Sequence, residues 1–114
     1  MWDAEYDIII IGSGFAGLAA AIEARTYCSS IIVLEKMKVP GGNSAICGGL
    51  IAAAGSALQK EQGIEDSPEL MLADMLRAGM ELNQPKLARI VAEHSVEVLE
   101  WTIGELGVEY KPTL

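Results

Sequence analysis

Apolar residues come first in two short unbroken runs and afterwards at helical spacing. Ile8 to Ile11, entered from Asp7, is a continuous β-branched run, which predicts a strand over Asp7 to Ile11 buried on both faces. From Gly14 to about Tyr27 the chain carries Ala, Leu and Ile, with Glu23 and Arg25 only near its end; this predicts a helix packed closely on a sheet. Ile31 to Leu34 is the second strand, so two parallel strands are expected, joined by a helix in a right-handed crossover. The turn Tyr27-Cys28-Ser29-Ser30 lacks the glycine expected at a helix C-terminus. Met37 to Pro40 is a connector, and Gly41 to Ala54 has no clean period, which predicts an irregular, partly helical segment facing a ligand.

The second half is helical in pattern. Ser56 to Gln62 predicts a short helix ending at Gly63. Ser67-Pro68-Glu69 combines a capping residue, proline at the first helical position and an acid in the first turn, which predicts a helix to about Ala78. Another helix is expected to begin near Pro85 and carry Leu87, Ile90 and Val91. A separate one from Ser95 places Val96, Leu99, Ile103 and Leu106 at helical spacing and ends at Gly107. Val108-Glu109-Tyr110 has the pattern of a strand start or a turn. The fold class is therefore α/β, a βαβ start followed by a helical segment. Two parallel strands do not make a stable sheet, so further strands are expected from additional sequence or a partner chain.

Composition narrows the function. The 114 residues make one domain at most, or part of one, and 51% are apolar but only 5% aromatic. Small residues concentrate between Gly12 and Ala57, which suits close backbone packing around a ligand. The net charge is −8 with Lys and Arg scattered, and this excludes a phosphate-neutralising nucleic-acid surface. Glu61, Glu65, Asp66, Glu69 and Asp74 crowd the second half and read as a solvated helical face, with Glu65-Asp66 a solvated loop. Cys28 and Cys47 have no metal-ligand or disulfide spacing and read as reduced residues; Cys47, inside the glycine-rich stretch, leaves a redox role open as the lesser reading. No metal site is expected. The opening MWDAEYD has no signal-like segment and the Ile run is too short to span a bilayer, so a cytoplasmic location is expected. His94, the one histidine, is expected between helices as a capping or surface residue, and Trp2, Trp101, Met71, Met75 and Met80 as packing.

The chemistry lies in the glycines. Gly12-x-Gly14-x-x-Gly17 comes directly after the first strand and opens the first helix. In that setting Gly12 allows the tight turn, Gly14 lets backbone approach a pyrophosphate, and Gly17 lets helix and strand pack closely. Free amides at the helix start, with Ser13 and Ala16 among the turn residues, then face the diphosphate. Glu35 ends the second strand and is placed to accept from an adenosine ribose, which disfavours a 2′-phosphorylated cofactor. NAD and FAD both use this unit. The residues after Glu35 separate them: Gly41-Gly42-Asn43-Ser44 and Gly48-Gly49 come too soon for a third strand and look like a cradle running toward an isoalloxazine ring. Asn43 and Ser44 have the chemistry to donate to phosphate or ribityl oxygens.

The stretches IGSGFAGLAAAIEA, VLEK and GGNSAICGG resemble the N-terminal FAD-binding segment of the fumarate reductase/succinate dehydrogenase flavoprotein family, with flavocytochrome-type fumarate reductases and ketosteroid dehydrogenases close in pattern. The helical stretch from Ile64 to Tyr110 resembles the next segment of those proteins, so the resemblance covers nearly all of the chain. It implies a Rossmann-like FAD-binding domain, with residues 1–57 as βαβ unit and flavin cradle and residues 58–114 as a helical segment of the same domain. It also implies hydride exchange between flavin N5 and an activated C–C bond.

Residue by residue, it places Gly12, Ser13, Gly14, Ala16, Gly17, Glu35, Lys36, Gly42, Asn43, Ser44, Gly48 and Gly49 at FAD-contacting positions. Asn43 stands where membrane-bound members carry a flavin-linking histidine, so non-covalent FAD is implied. The spacing from Asn43 to Gly48-Gly49 is one residue shorter than in the flavocytochrome branch. In the family, the substrate-binding histidines and the proton-donating arginine lie well beyond the stretch that this sequence resembles, so no catalytic residue is assigned. Expected partners are a small-molecule substrate, the remaining segment or a second subunit, and an electron donor. Two other readings stay open: an NAD-binding dehydrogenase domain, and a non-catalytic nucleotide-binding or assembly subunit.

Overall fold

The computed structural model describes residues 2–111. They fall in two compact units, divided between Leu50 and Ile51.

The first unit is the βαβ. Strand β1 (Ile8–Ile11) pairs in parallel with β2 (Ile31–Leu34), Ile8 opposite Ile31 and Ile11 opposite Leu34, with helix α1 (Phe15–Ala24) between them in the chain. Ile10 faces α1 across Gly17, so alternation along the strand sends Ile9 and Ile11 to the other face. There they are 58% and 86% exposed, against the expectation of a strand buried on both sides. The β-branched run favours the extended backbone whatever covers it, and within this unit α1 covers one face only. Helix α1 ends without glycine. Thr26 and Tyr27 donate their amides to Glu23 and Ala24 carbonyls in short turns, and the Thr26 hydroxyl donates to the Glu23 carbonyl at 2.7 Å. These bonds satisfy carbonyls that a left-handed glycine would otherwise serve. A 3-10 segment, Gly42–Ile46, comes after β2. Trp2, expected to pack, is 84% exposed before β1.

The second unit holds α2 (Ala57–Glu61), α3 (Pro68–Ala78) and α4 (Pro85–Gly104). The Ser67 hydroxyl accepts the Leu70 amide at 3.2 Å, with Pro68 and Glu69 in the first turn, so α3 starts where its capping signals are written. Ser67→Ala should lower stability by about 1 kcal/mol, measured as a lower urea midpoint. The core forms where Leu72 of α3 meets Ala88 and Ala92 of α4, with Met71, Met75 and Leu76 around it. Small residues on α4 let the helices approach closely.

The two segments expected from Pro85 and Ser95 are one helix of 20 residues. Ser95 bonds back to its own helix, donating its hydroxyl to the Ala92 carbonyl at 2.9 Å, and accepts the Ala54 amide at 3.2 Å. His94 accordingly lies mid-helix and exposed, its Nδ1 2.7 Å from Glu97, rather than between helices. At the far end α4 stops at Gly104, short of the expected Gly107, and the Gly107 and Val108 amides donate back to the Ile103 and Thr102 carbonyls of its last turn. Val108 to Tyr110 forms no strand. Asp66 is no free loop acid: Oδ2 accepts from Gln59 Nε2 and Oδ1 from the Ser67 amide, both at 2.8 Å, tying α2 to the start of α3. Met80, another residue expected to pack, is 76% exposed in the turn after α3.

Candidate cofactor site

The site lies at the C-terminal ends of β1 and β2, where open parallel sheets bind ligands. Backbone carries most of it. Gly12 takes φ +96°, a left-handed turn that sends the chain off β1 into α1. At Gly17 a Cβ would land on the Gly12 carbonyl oxygen, so helix and turn are in backbone contact. At Gly14 a Cβ would meet only the Ser44 hydroxyl at 3.4 Å and the Gly41 carbonyl at 3.8 Å, ordinary contacts, so the protein leaves this backbone open to a ligand.

Helix α1 has no acid in its first turn and no cap from its own chain segment. The Phe15 amide is instead satisfied by Ser44 Oγ at 3.0 Å, a cap delivered from 29 residues away. Among the described residues the amides of Gly14, Ala16 and Gly17 find no acceptor. Three free donors at the positive end of a helix make an anion site.

Glu35 holds the other wall. Its Oε2 accepts from the Ser13 hydroxyl at 2.6 Å and the Ser13 amide at 3.1 Å, and its Oε1 accepts from the Met37 amide at 2.9 Å. The Ser13 hydroxyl, then the Met37 and Ser13 amides, lower its pKa to about 2 by bonding to the ionised form. Glu35 is thus a carboxylate throughout the neutral range, and Oε1 keeps acceptor capacity for a hydroxyl.

These walls bound a cavity of about 1080 Å³, on the scale of small-molecule sites. Of the residues chosen from sequence, Gly12, Ser13, Gly14, Glu35, Lys36, Gly42 and Asn43 line it. Ala16 and Gly17 supply first-turn amides of α1, and Ser44 supplies the cap. Gly48 and Gly49 lie outside the cavity, exposed, with amides that make no hydrogen bond among the described residues. Sequence reasoning missed Met37, whose amide holds Glu35, and the apolar wall of Val39, Pro40 and Ile46. The one available signal was that the connector between acid and glycine pair is too short to leave the site.

A parallel βαβ with free amides at its helix start and an acid at the end of β2 has the layout of a nucleotide-binding α/β unit. The chain belongs to the FAD binding domain family, which matches residues 7–113. It is 52% identical over 114 residues to an acrylate reductase flavoprotein subunit from Shewanella woodyi, covering 99% of this chain and 22% of that one. A cytochrome-type fumarate reductase from Shewanella frigidimarina is 39% identical over 95 residues, 83% of this chain and 17% of that protein. Among solved structures, a 3-ketosteroid-Δ4-(5α)-dehydrogenase from Rhodococcus jostii RHA1 in complex with 4-androstene-3,17-dione superposes with TM-score 0.83 at 37% identity, covering 97% of this chain and 23% of that one. The open conformation of a flavocytochrome c3 fumarate reductase gives TM-score 0.82 at 32% identity, over 91% and 18%. The chain spans about a fifth of the length of these relatives.

The family and these relatives match the resemblance read from the sequence, and FAD is the family's cofactor. The residues present fit it: free amides for a diphosphate, a fixed carboxylate with spare acceptor capacity for a ribose, and an open backbone wall at Gly14. Among the described residues no helix is long and apolar enough to cross a membrane.

Proposed function

We propose that this chain is the FAD-holding part of a flavin-dependent oxidoreductase of the fumarate reductase type. The observation that carries the reading is the set of free amides at Gly14, Ala16 and Gly17 opposite the fixed Glu35 carboxylate. In this reading the α1 amides bind the diphosphate, Glu35 accepts from the adenosine ribose, and Gly42, Asn43 and Ser44 guide the chain of the cofactor toward its flavin. Lys36 adds a cation at the adenosine end, and the exposed amides of Gly48 and Gly49 are the donors proposed for the flavin edge. When bound, FAD supplies hydride chemistry at flavin N5 toward an activated C–C bond beside a carbonyl or carboxylate. That substrate class is supported by the relatives' names, which specify acrylate, fumarate and urocanate reductases. Binding is non-covalent, since Asn43 offers no nucleophile for flavin attachment. Residues 1–57 supply the nucleotide site and flavin cradle, and residues 58–114 a helical segment of the same domain. The substrate pocket, the acid–base groups and the route for electrons belong to further sequence or to a second subunit, and the cytoplasm is the proposed compartment.

The test is a titration of the protein with FAD and with NADH, monitored by flavin absorbance and by calorimetry, with acid precipitation of the loaded protein. The expected result is preference for FAD and full release of flavin into the acid supernatant. Preference for NADH would replace this reading with the dehydrogenase one. Binding of neither, in a folded chain, would favour the non-catalytic reading.

A further inference from the structure

Ser13 occupies the cavity wall yet points its hydroxyl into the protein. It is 4% exposed, the most enclosed polar residue of the first unit. Its hydroxyl donates to Glu35 Oε2 at 2.6 Å and accepts the Gly41 amide at 2.8 Å. One side chain thus joins the turn after β1 to the end of β2 and to the start of the glycine-rich segment. A second tie closes the circuit where Ser44, three residues past Gly41, accepts the Phe15 amide at the head of α1. The Gly14 backbone, the open wall of the cavity, lies between these two ties.

We infer that Ser13 is a positioning residue that couples the adenosine end of the site to its diphosphate and flavin end: through its hydroxyl, the placement of the Glu35 carboxylate governs where the Gly41–Ser44 segment begins. The inference rests on the reading of this cavity as an FAD site. The physical basis is polarisation along a chain of bonds. A hydroxyl that donates to a carboxylate becomes a better acceptor, so the Gly41 amide is held more firmly while Glu35 is ionised and in place. Alanine at position 13 would leave the Gly41 amide and one carboxylate oxygen each short of a partner in a part-buried setting. Lys36 and Lys38 are the other charged side chains lining the cavity, both from the connector after β2.

The test tracks the Gly41 amide by hydrogen exchange in NMR, in the wild-type chain and in Ser13→Ala, Ser13→Thr and Glu35→Gln, with ADP affinity measured alongside. Ser13→Ala should speed Gly41 exchange by about tenfold, the scale of losing one hydrogen bond. It should also move the Glu35 carboxyl titration up from about 2, since the Ser13 hydroxyl is its largest cause, and weaken ADP binding. Ser13→Thr, which keeps the hydroxyl, should restore protection. Glu35→Gln leaves both partners of the Gly41 bond intact, so faster Gly41 exchange in that variant is the signature of coupling, and it serves even if Ser13→Ala does not fold. Gly41 exchange that ignores Glu35→Gln overturns the inference, and ADP binding retained in that case leaves the FAD reading standing. Gly41 exchange that responds to Glu35→Gln in a chain binding neither ADP nor FAD supports the Ser13 link and overturns the cofactor reading.

Discussion

Gly17→Ala is expected to destabilise the protein by about 1–3 kcal/mol and to abolish measurable FAD binding. In an unconstrained helix the same change would add stability, because glycine costs a helix interior up to about 1 kcal/mol relative to alanine. Here the new Cβ would land on the Gly12 carbonyl oxygen, with Ile10 Cγ2 3.4 Å away on β1. The obstacle is backbone, so no rotamer change relieves it. Either α1 lifts off β1, or the Gly12 turn opens. Both movements displace the amides of Gly14, Ala16 and Gly17 from the anion site, so stability and binding fall together. Gly104→Ala is the matched control: also helical, near the end of α4, with nothing within 4 Å of a new Cβ. It should raise stability by roughly 0.5–1 kcal/mol and leave FAD binding unchanged. Urea denaturation and flavin titration of the two variants check the pair. A Gly17→Ala protein as stable as wild type would show that α1 and the turn are not held in backbone contact.

The parts of this site that could be read from sequence are those whose physics is local. β-branched runs, the glycine turn and the Ser67 cap each depend on residues within a few positions of one another, so their pattern is written contiguously. What escaped depends on bonds across distance. Ser13 meets Glu35 22 residues on and Gly41 28 residues on, and Phe15 is capped by Ser44 across 29 residues. A serine in a glycine-rich turn gives no sign of which acid or amide it will meet. Helix α4 runs on through Ser95, whose hydroxyl bonds back into the helix and also accepts the Ala54 amide from 41 residues earlier, a partner that helical spacing does not reveal. Asp66 reads as a solvated acid for a related reason, since its partner Gln59 lies on α2 while Asp66 sits in the loop after it. The exposure of Ile9 and Ile11 is a matter of what covers the sheet, which hydrophobic pattern alone does not specify.

Glu35→Gln should weaken FAD binding by about tenfold or more and should remove an acid-sensitive part of the protein's stability. The affinity loss has two sources. The amide is a poorer acceptor than a carboxylate for ribose hydroxyls, and its NH2 meets the Ser13 and Met37 donors unless the side chain turns its oxygen toward one and abandons the other. The pH effect arises from linkage. Glu35 has its pKa lowered from 4.5 to about 2 in the folded chain, first by the Ser13 hydroxyl and then by the Met37 and Ser13 amides. A depressed carboxylate contributes stability that is fully present above its unfolded value of 4.5 and is lost as pH falls through that value toward about 2. Between those limits the unfolded chain takes up a proton that the folded chain refuses, so folding weakens with each step down in pH. Wild type should therefore lose more stability between pH 5 and pH 2 than Glu35→Gln, which has no proton to take up at this position. Above pH 5 the two should differ by a constant amount. Urea midpoints measured at intervals across that range decide it: parallel curves would mean that the Glu35 bonds do not persist in solution, and with them the fixed acid wall of the proposed FAD site.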